Sequence, residues 1–219
     1  KYDFYDLVGM KYMRINELEK AHYYFKSIPD DYWASAPNYQ NVDFSVNPFD
    51  VGLIRNDTTH YTKAELLETL MTYIKKANNN NNKDRDYYNF LVANCYYNMT
   101  SYGNSWTMRR LFGGSRYLKD SKLEDMDEYY NCNIAKMYYL RAKSTSKNKK
   151  FSALALLLAG KCEKNHLTYL KGEVYLTEKD DKEIFDKNAY YRQLERKYPG
   201  YYQELMSNCE SRRLYFNSR

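Results

Sequence analysis

Apolar residues in this chain recur at helical spacing in one segment after another, and nowhere alternate with the period of two that a half-buried strand requires. That property restricts the chain to helix-on-helix packing, because a helix with one apolar stripe must bury it against another helix when no sheet is present. Composition agrees. The 27 Tyr, 9 Phe and 2 Trp stand against only 8 Gly and 4 Pro, which excludes disordered, collagen-like and turn-dense β-sandwich chains. The length of 219 residues is ample for a buried core. A net charge of +6, from 34 basic and 28 acidic residues, is mixed and falls short of a dedicated polyanion binder, so nucleic acid is not an expected partner. The longest apolar run, Ala153 to Gly160, is too short to span a bilayer and reads as a buried helix, so no transmembrane segment is expected.

Residues 3–14 place Tyr5, Val8, Gly9 and Tyr12 on one stripe, and residues 17–28 place Leu18, Ala21, Phe25 and Ile28 on another. Asn16 marks a tight break between them and Pro29 stops the second, so the two helices lie antiparallel. Residues 30–60 lose periodicity and read as a long loop packed by its own Trp33, Tyr39, Phe44 and Phe49. Thr62 and Glu65 form a capping box for the next helix, which Lys75 and Lys76 suit at its negative end and the asparagines from Asn78 to Asn82 close. Further helices are expected at 84–99, near Trp106–Phe112, at 125–143, at 151–164, at 181–198 and at 201–216, with a short strand or helix over 167–176. The 100–124 region is a second loop insertion, and the basic stretch from Lys143 to Lys150 a solvated connector. Each paired tyrosine (23–24, 87–88, 96–97, 129–130, 138–139, 190–191 and 201–202) is expected to pack one ring while the other meets the helix edge or solvent.

Tyr5, Val8, Gly9, Tyr12, Leu18, Ala21 and Phe25, with the turn at Asn16, match in order and spacing a 34-residue helix–turn–helix unit, and on these residues the chain resembles the tetratricopeptide repeat family. Partial matches follow at Ala135, Tyr139 and Ala142, at Ala155, Leu158, Ala159 and Cys162, and at Tyr191, Leu194 and Pro199. Pro29 arrives earlier than the family's terminal proline, Ile28 stands where a small residue is usual, and residues 30–125 do not fit without long insertions. The resemblance implies an all-α, irregular tetratricopeptide-repeat-like superhelix: a right-handed solenoid of antiparallel helix pairs forming a single domain over 1–219, with inserted loops at about 30–60 and 100–124. It further implies a non-enzymatic scaffold that binds a protein or peptide in a concave groove. The excess of Tyr and Asn is also similar to large helical-repeat proteins exported by some Gram-negative bacteria. That likeness implies an alternative role as a carbohydrate-associated or outer-membrane-assembly component of the cell envelope, periplasmic or outer-membrane-associated rather than cytoplasmic. The chain starts at Lys1 without a signal-like segment, as expected if a leader has been removed or if it is a piece of a longer protein.

Motifs for chemistry are missing from the sequence. Leu111 to Arg116 lacks the glycine spacing and lysine of a phosphate loop, and neither GxSxG nor HExxH occurs. His22 reads as partly exposed surface, His60 as a loop residue and His166 as a residue beyond a helix end. The acidic group Glu124, Asp125, Asp127 and Glu128 suits a helix N-terminus. Cys95, Cys132, Cys162 and Cys209 lack zinc-ligand spacing and read as small core residues. No catalytic, cofactor-binding or metal-binding residue is therefore expected.

Overall fold

A computed structural model describes residues 1–35, 47–49, 61–111, 123–172 and 177–207. Among these described residues the chain is all-helical, with eleven α-helices, one 3₁₀ turn and no strand. Helices α1 (Tyr2–Arg14) and α2 (Leu18–Lys26) form the hairpin expected around Asn16, whose φ of 59° lies in the left-handed region that asparagine tolerates. The fully buried line on α1 runs through Asp6, Gly9, Met10 and Met13, while Tyr5, Val8 and Tyr12 are only half-buried on its shoulder. Residues 30–60 were expected as loop, but α3 (Asp30–Ser35) begins directly after Pro29, which starts helices well because its missing N–H goes unused there.

Helix α4 (Lys63–Asn78) begins at the expected capping box. The Glu65 N–H donates to Thr62 Oγ1 at 3.3 Å, and the Thr62 N–H to Glu65 Oε2 at 2.9 Å. Helix α5 (Arg85–Asn98) follows, then a 3₁₀ turn at Trp106–Met108. The single helix expected over 125–143 is two: α6 (Met126–Asn131) and α7 (Asn133–Thr145), divided at Cys132 with φ 53°. Glu128 makes the break workable, because its carboxylate accepts from the N–H groups of Asn133 and Ile134, both at 2.9 Å, and so caps α7 from the preceding turn. Helix α8 (Lys149–Lys171) runs well beyond the expected 151–164, so the first half of the element expected over 167–176 is its last turn, residues 173–176 lie outside the described residues, and His166 lies inside α8 rather than beyond its end. The basic connector before it shrinks to residues 146–148, since Lys143 belongs to α7 and Lys149 and Lys150 to α8.

The helix expected over 181–198 is likewise two, α9 (Glu178–Lys187) and α10 (Ala189–Lys197). Buried Asn188 divides them. Its Oδ1 accepts from the N–H groups of Tyr190 and Tyr191 at 3.1 and 3.3 Å, and its Nδ2 donates to the Gly160 carbonyl at 2.8 Å. Helix α11 (Pro199–Ser207) is the last. The side chain of Trp33, residues Tyr39, Phe44, His60 and Cys209, loop positions 112–122 and the expected helix beyond Ser207 lie outside the described residues.

The long helices pack in chain order: α1 on α2, α2 on α4, α4 on α5, α5 on α7, α7 on α8 and α8 on α10. Helices α6, α9 and α11 also lie on α8, and every residue from Phe151 to Gly160 is buried. Two helical glycines permit close approach of neighbouring helices. A Cβ on Gly9 would sit 2.4 Å from the Phe25 ring, and one on Gly160 would sit 2.3 Å from the Tyr191 ring. Paired tyrosines on the central helices depart from expectation. Tyr96 and Tyr97 on α5, Tyr129 and Tyr130 on α6, and Tyr138 and Tyr139 on α7 are all buried, because α5 lies between α4 and α7, α7 between α5 and α8, and α6 against α8. Tyr23 and Tyr24, on the outer hairpin, follow the expected split, with Tyr23 68% exposed.

Candidate functional site

A broad hollow lies along α7. Asn133, Lys136, Met137, Leu140, Arg141 and Ser144 line about 410 Å³ of open space, at the three- and four-residue spacing of a single helical face. The other faces of α7 carry Ala135, Tyr138, Tyr139 and Ala142 into the core between α5 and α8. Met137, at 40% exposure, and half-buried Leu140 form an apolar strip flanked by two cations. Both cations are held in place: Lys136 Nζ is 2.8 Å from Glu163 Oε2, and the Arg141 guanidinium lies 5.1 Å from the centre of the Tyr138 ring. Lys143, farther along the same helix, donates to Gln193 Oε1 at 2.7 Å, and burial together with the nearby Lys197 lowers its pKa. Such a face offers apolar contact plus hydrogen-bond donors for a carboxylate.

A second hollow, of about 180 Å³ between α2 and α4, brings His22 and Lys26 together with Asp30, Glu65 and Glu68 above Phe25 and Ile28. His22 Nε2 stands 4.0 Å from Glu68 Oε2, and Glu65 is already engaged in capping α4. A third space, of about 20 Å³ under Tyr97, Asn98, Tyr139, Leu158 and Lys161, has room for little more than a water. His166 lines none of the three. Among the described residues no cluster of three or more His, Cys, Asp or Glu could hold a metal ion, and no helix is long and apolar enough to cross a membrane.

Of the repeat positions named from sequence, the structure brings Gly9 against Phe25 and stacks Tyr12 on Tyr24, with ring centres 5.7 Å apart. Tyr5 meets Tyr24 edge-on at 5.9 Å, Leu18 and Ala21 are buried, and Val8 is half-buried. Cys95, Cys132 and Cys162 are buried free thiols.

Sequence reasoning missed the buried charges. Lys63 Nζ lies 2.7 Å from Asp6 Oδ1 with both side chains out of solvent; burial pushes the lysine pKa down and Asp6 pulls it back up. Arg109 and Arg110 both pair with buried Asp125, Arg110 covers the Tyr129 ring at 4.5 Å, and Arg14 links Glu124 at 2.7 Å to the Arg109 carbonyl at 3.1 Å. Asp125 stands at the N-terminus of α6, as the acidic group was expected to, but its side chain serves an ion cluster instead of capping the helix, while Glu128 has its pKa raised by burial against the pull of its amide partners. The signal for Asp6 was present in the sequence: it lies three and four residues before Gly9 and Met10, within an apolar stripe. Nothing in the local pattern marked the ion pairing of Asp125, whose partners Arg109 and Arg110 lie just past the 3₁₀ turn.

No protein-family model matches this chain, and no curated protein or solved structure matches it either.

Proposed function

We propose that the chain is a non-enzymatic binding module, an irregular tetratricopeptide-like superhelix that holds a peptide segment of a partner protein along α7. The observation that carries this reading is the α7 face itself, where an apolar strip of Met137 and Leu140 sits between fixed Lys136 and Arg141. A peptide with an apolar anchor beside Asp or Glu fits that chemistry, the anchor desolvating the strip and the acid pairing with the cations. Packing of the helices in chain order, with glycine–aromatic contacts at both ends of the array, supports the superhelical part. A library of acidic-apolar peptides screened by fluorescence polarisation tests it. The expected result is binding that Met137→Glu and Arg141→Glu each weaken at least about tenfold, with unchanged thermal melting. Retention of full affinity by both variants, or no peptide bound at all, would overturn it.

A second reading, a carbohydrate-engaging cell-envelope component, draws on the outer hairpin. There the rings of Tyr2, Tyr5, Tyr12, Tyr23 and Tyr24 form a contiguous aromatic group with Tyr23 exposed. Aromatic rings give flat contact area at low entropic cost. Glycan-array binding lost in Tyr23→Ala and Tyr12→Ala would select this reading over the first; an empty array would remove it.

A further inference from the structure

Cys132 occupies a singular position. It is the left-handed residue that divides α6 from α7, it is fully buried, and α6 lies against α8, which carries the fully buried Cys162. Its sulfur is surrounded by polar groups from two other segments. Thr100 Oγ1 stands 3.6 Å away and Asn165 Nδ2 3.7 Å away, and Asn165 projects from the turn of α8 that follows Cys162. Tyr97 Oη accepts from the same Asn165 amide at 3.4 Å, which fixes the amide's direction. Cys162 lies three residues before Asn165, on the same face of α8, so the helix brings it toward the Cys132 sulfur. We infer that Cys132 and Cys162 are a reversible dithiol–disulfide pair, a two-electron modification site that takes a small-molecule disulfide as oxidant and clamps the α6–α7 joint to α8.

The surroundings divide the roles. Burial opposes ionisation of Cys132, but its interactions with Cys162, Thr100 and Asn165 outweigh it and hold that thiol below its ordinary range. Burial, and then the neighbouring Cys132, push Cys162 well above its ordinary range. Cys132 is thus the attacking sulfur. Its thiolate displaces one thiolate from the oxidant and forms a mixed disulfide. The Cys162 thiol gives up its proton, attacks the Cys132 sulfur and releases the second thiolate. One oxidant disulfide is reduced to two thiols as one protein disulfide forms. Neither sulfur meets solvent, so exchange waits for α6, a helix of only six residues, to lift from α8. Cys95 is an internal control: it is equally buried, burial raises its pKa, and Arg109 is the charged group that acts on it.

The test is incubation of the full chain with oxidised glutathione, alkylation of remaining thiols, digestion and mass spectrometry without reductant. The expected product is one new cross-linked peptide pair joining Cys132 to Cys162, formed equally in Cys95→Ser and reversed by dithiothreitol. Cys162→Ser should instead retain a stable glutathione adduct on Cys132. The oxidised chain should melt about 5–10 °C higher, because the link closes a loop of some thirty residues in the unfolded chain. A link from either cysteine to Cys95 or Cys209, glutathione adducts in the unsubstituted chain without an internal link, or four unmodified thiols after prolonged exposure would each overturn the assignment.

Discussion

Lys63 and Asp6 are both buried, one on the first turn of α4 and the other on α1, and they form an ion pair at 2.7 Å. Removing one member strands the other. Lys63→Met should therefore cost about 3–5 kcal/mol in denaturant unfolding, and Asp6→Leu combined with Lys63→Met should recover most of that loss. A double variant no better than the single one would show that the pair's surroundings, rather than its charge, set the cost. The two close-contact glycines make a second prediction at this scale. Gly9→Ala and Gly160→Ala place a methyl within 2.4 and 2.3 Å of Phe25 and Tyr191 respectively, and neither ring has free space to retreat into from a buried interface. Each substitution should destabilise by about 1–3 kcal/mol, against the gain that alanine brings to an open helix position. Equal or higher stability in either variant would contradict the close approach.

Helix by helix, the termini explain where reading the sequence succeeded. The box at Thr62 and Glu65 was visible because all its parts lie within one turn, and the equivalent box at Thr177 and Asp180 carries the same signature but follows a stretch with weak periodicity. The divisions at Cys132 and Asn188 were not visible, since continuous apolar spacing runs through both. What divides them is a tertiary demand, Glu128 folding back to cap α7 and Asn188 reaching the Gly160 carbonyl. The α7 face was missed for a related reason: Met137 and Leu140 read as core from spacing alone, and only the placement of α5 and α8 decides which stripe of α7 faces outward. Helix α9 has its own pH signature. Lys171 pairs with Asp180 and Glu183, which drives the Asp180 pKa well below the carboxylate range and Glu183 down to about 2. A carboxylate with a depressed folded pKa lends stability above its unfolded value near 4.5, and that stability is lost as pH falls toward the folded value. Amides of α9 should therefore exchange faster as pH is lowered from about 5 to 2, after correction for intrinsic rates, and Lys171→Met should flatten that dependence. An α9 whose corrected protection is the same at both ends of the range would rule this out.

At the scale of the whole molecule, the order of packing matters more than any one contact. Each long helix touches chiefly the one before and the one after, with α8 as the exception that meets α6, α7, α9, α10 and α11. Truncating a leucine there, for instance Leu156→Ala, falls in the range of about 2–5 kcal/mol for a well-packed site. Native-state hydrogen exchange should show α5, α7 and α8 as the most protected unit, with α1 and α2 opening at lower free energy because they bury one side only. Uniform protection along the array would mean a single cooperative block. The three-residue link between α7 and α8, residues 146–148, has a counterpart in a mechanical property. A strip of rods riveted one to the next transmits a pull to the adjoining rod before any other. Tension applied to the first hairpin should therefore peel it away while the tightly coupled α7–α8 joint still stands.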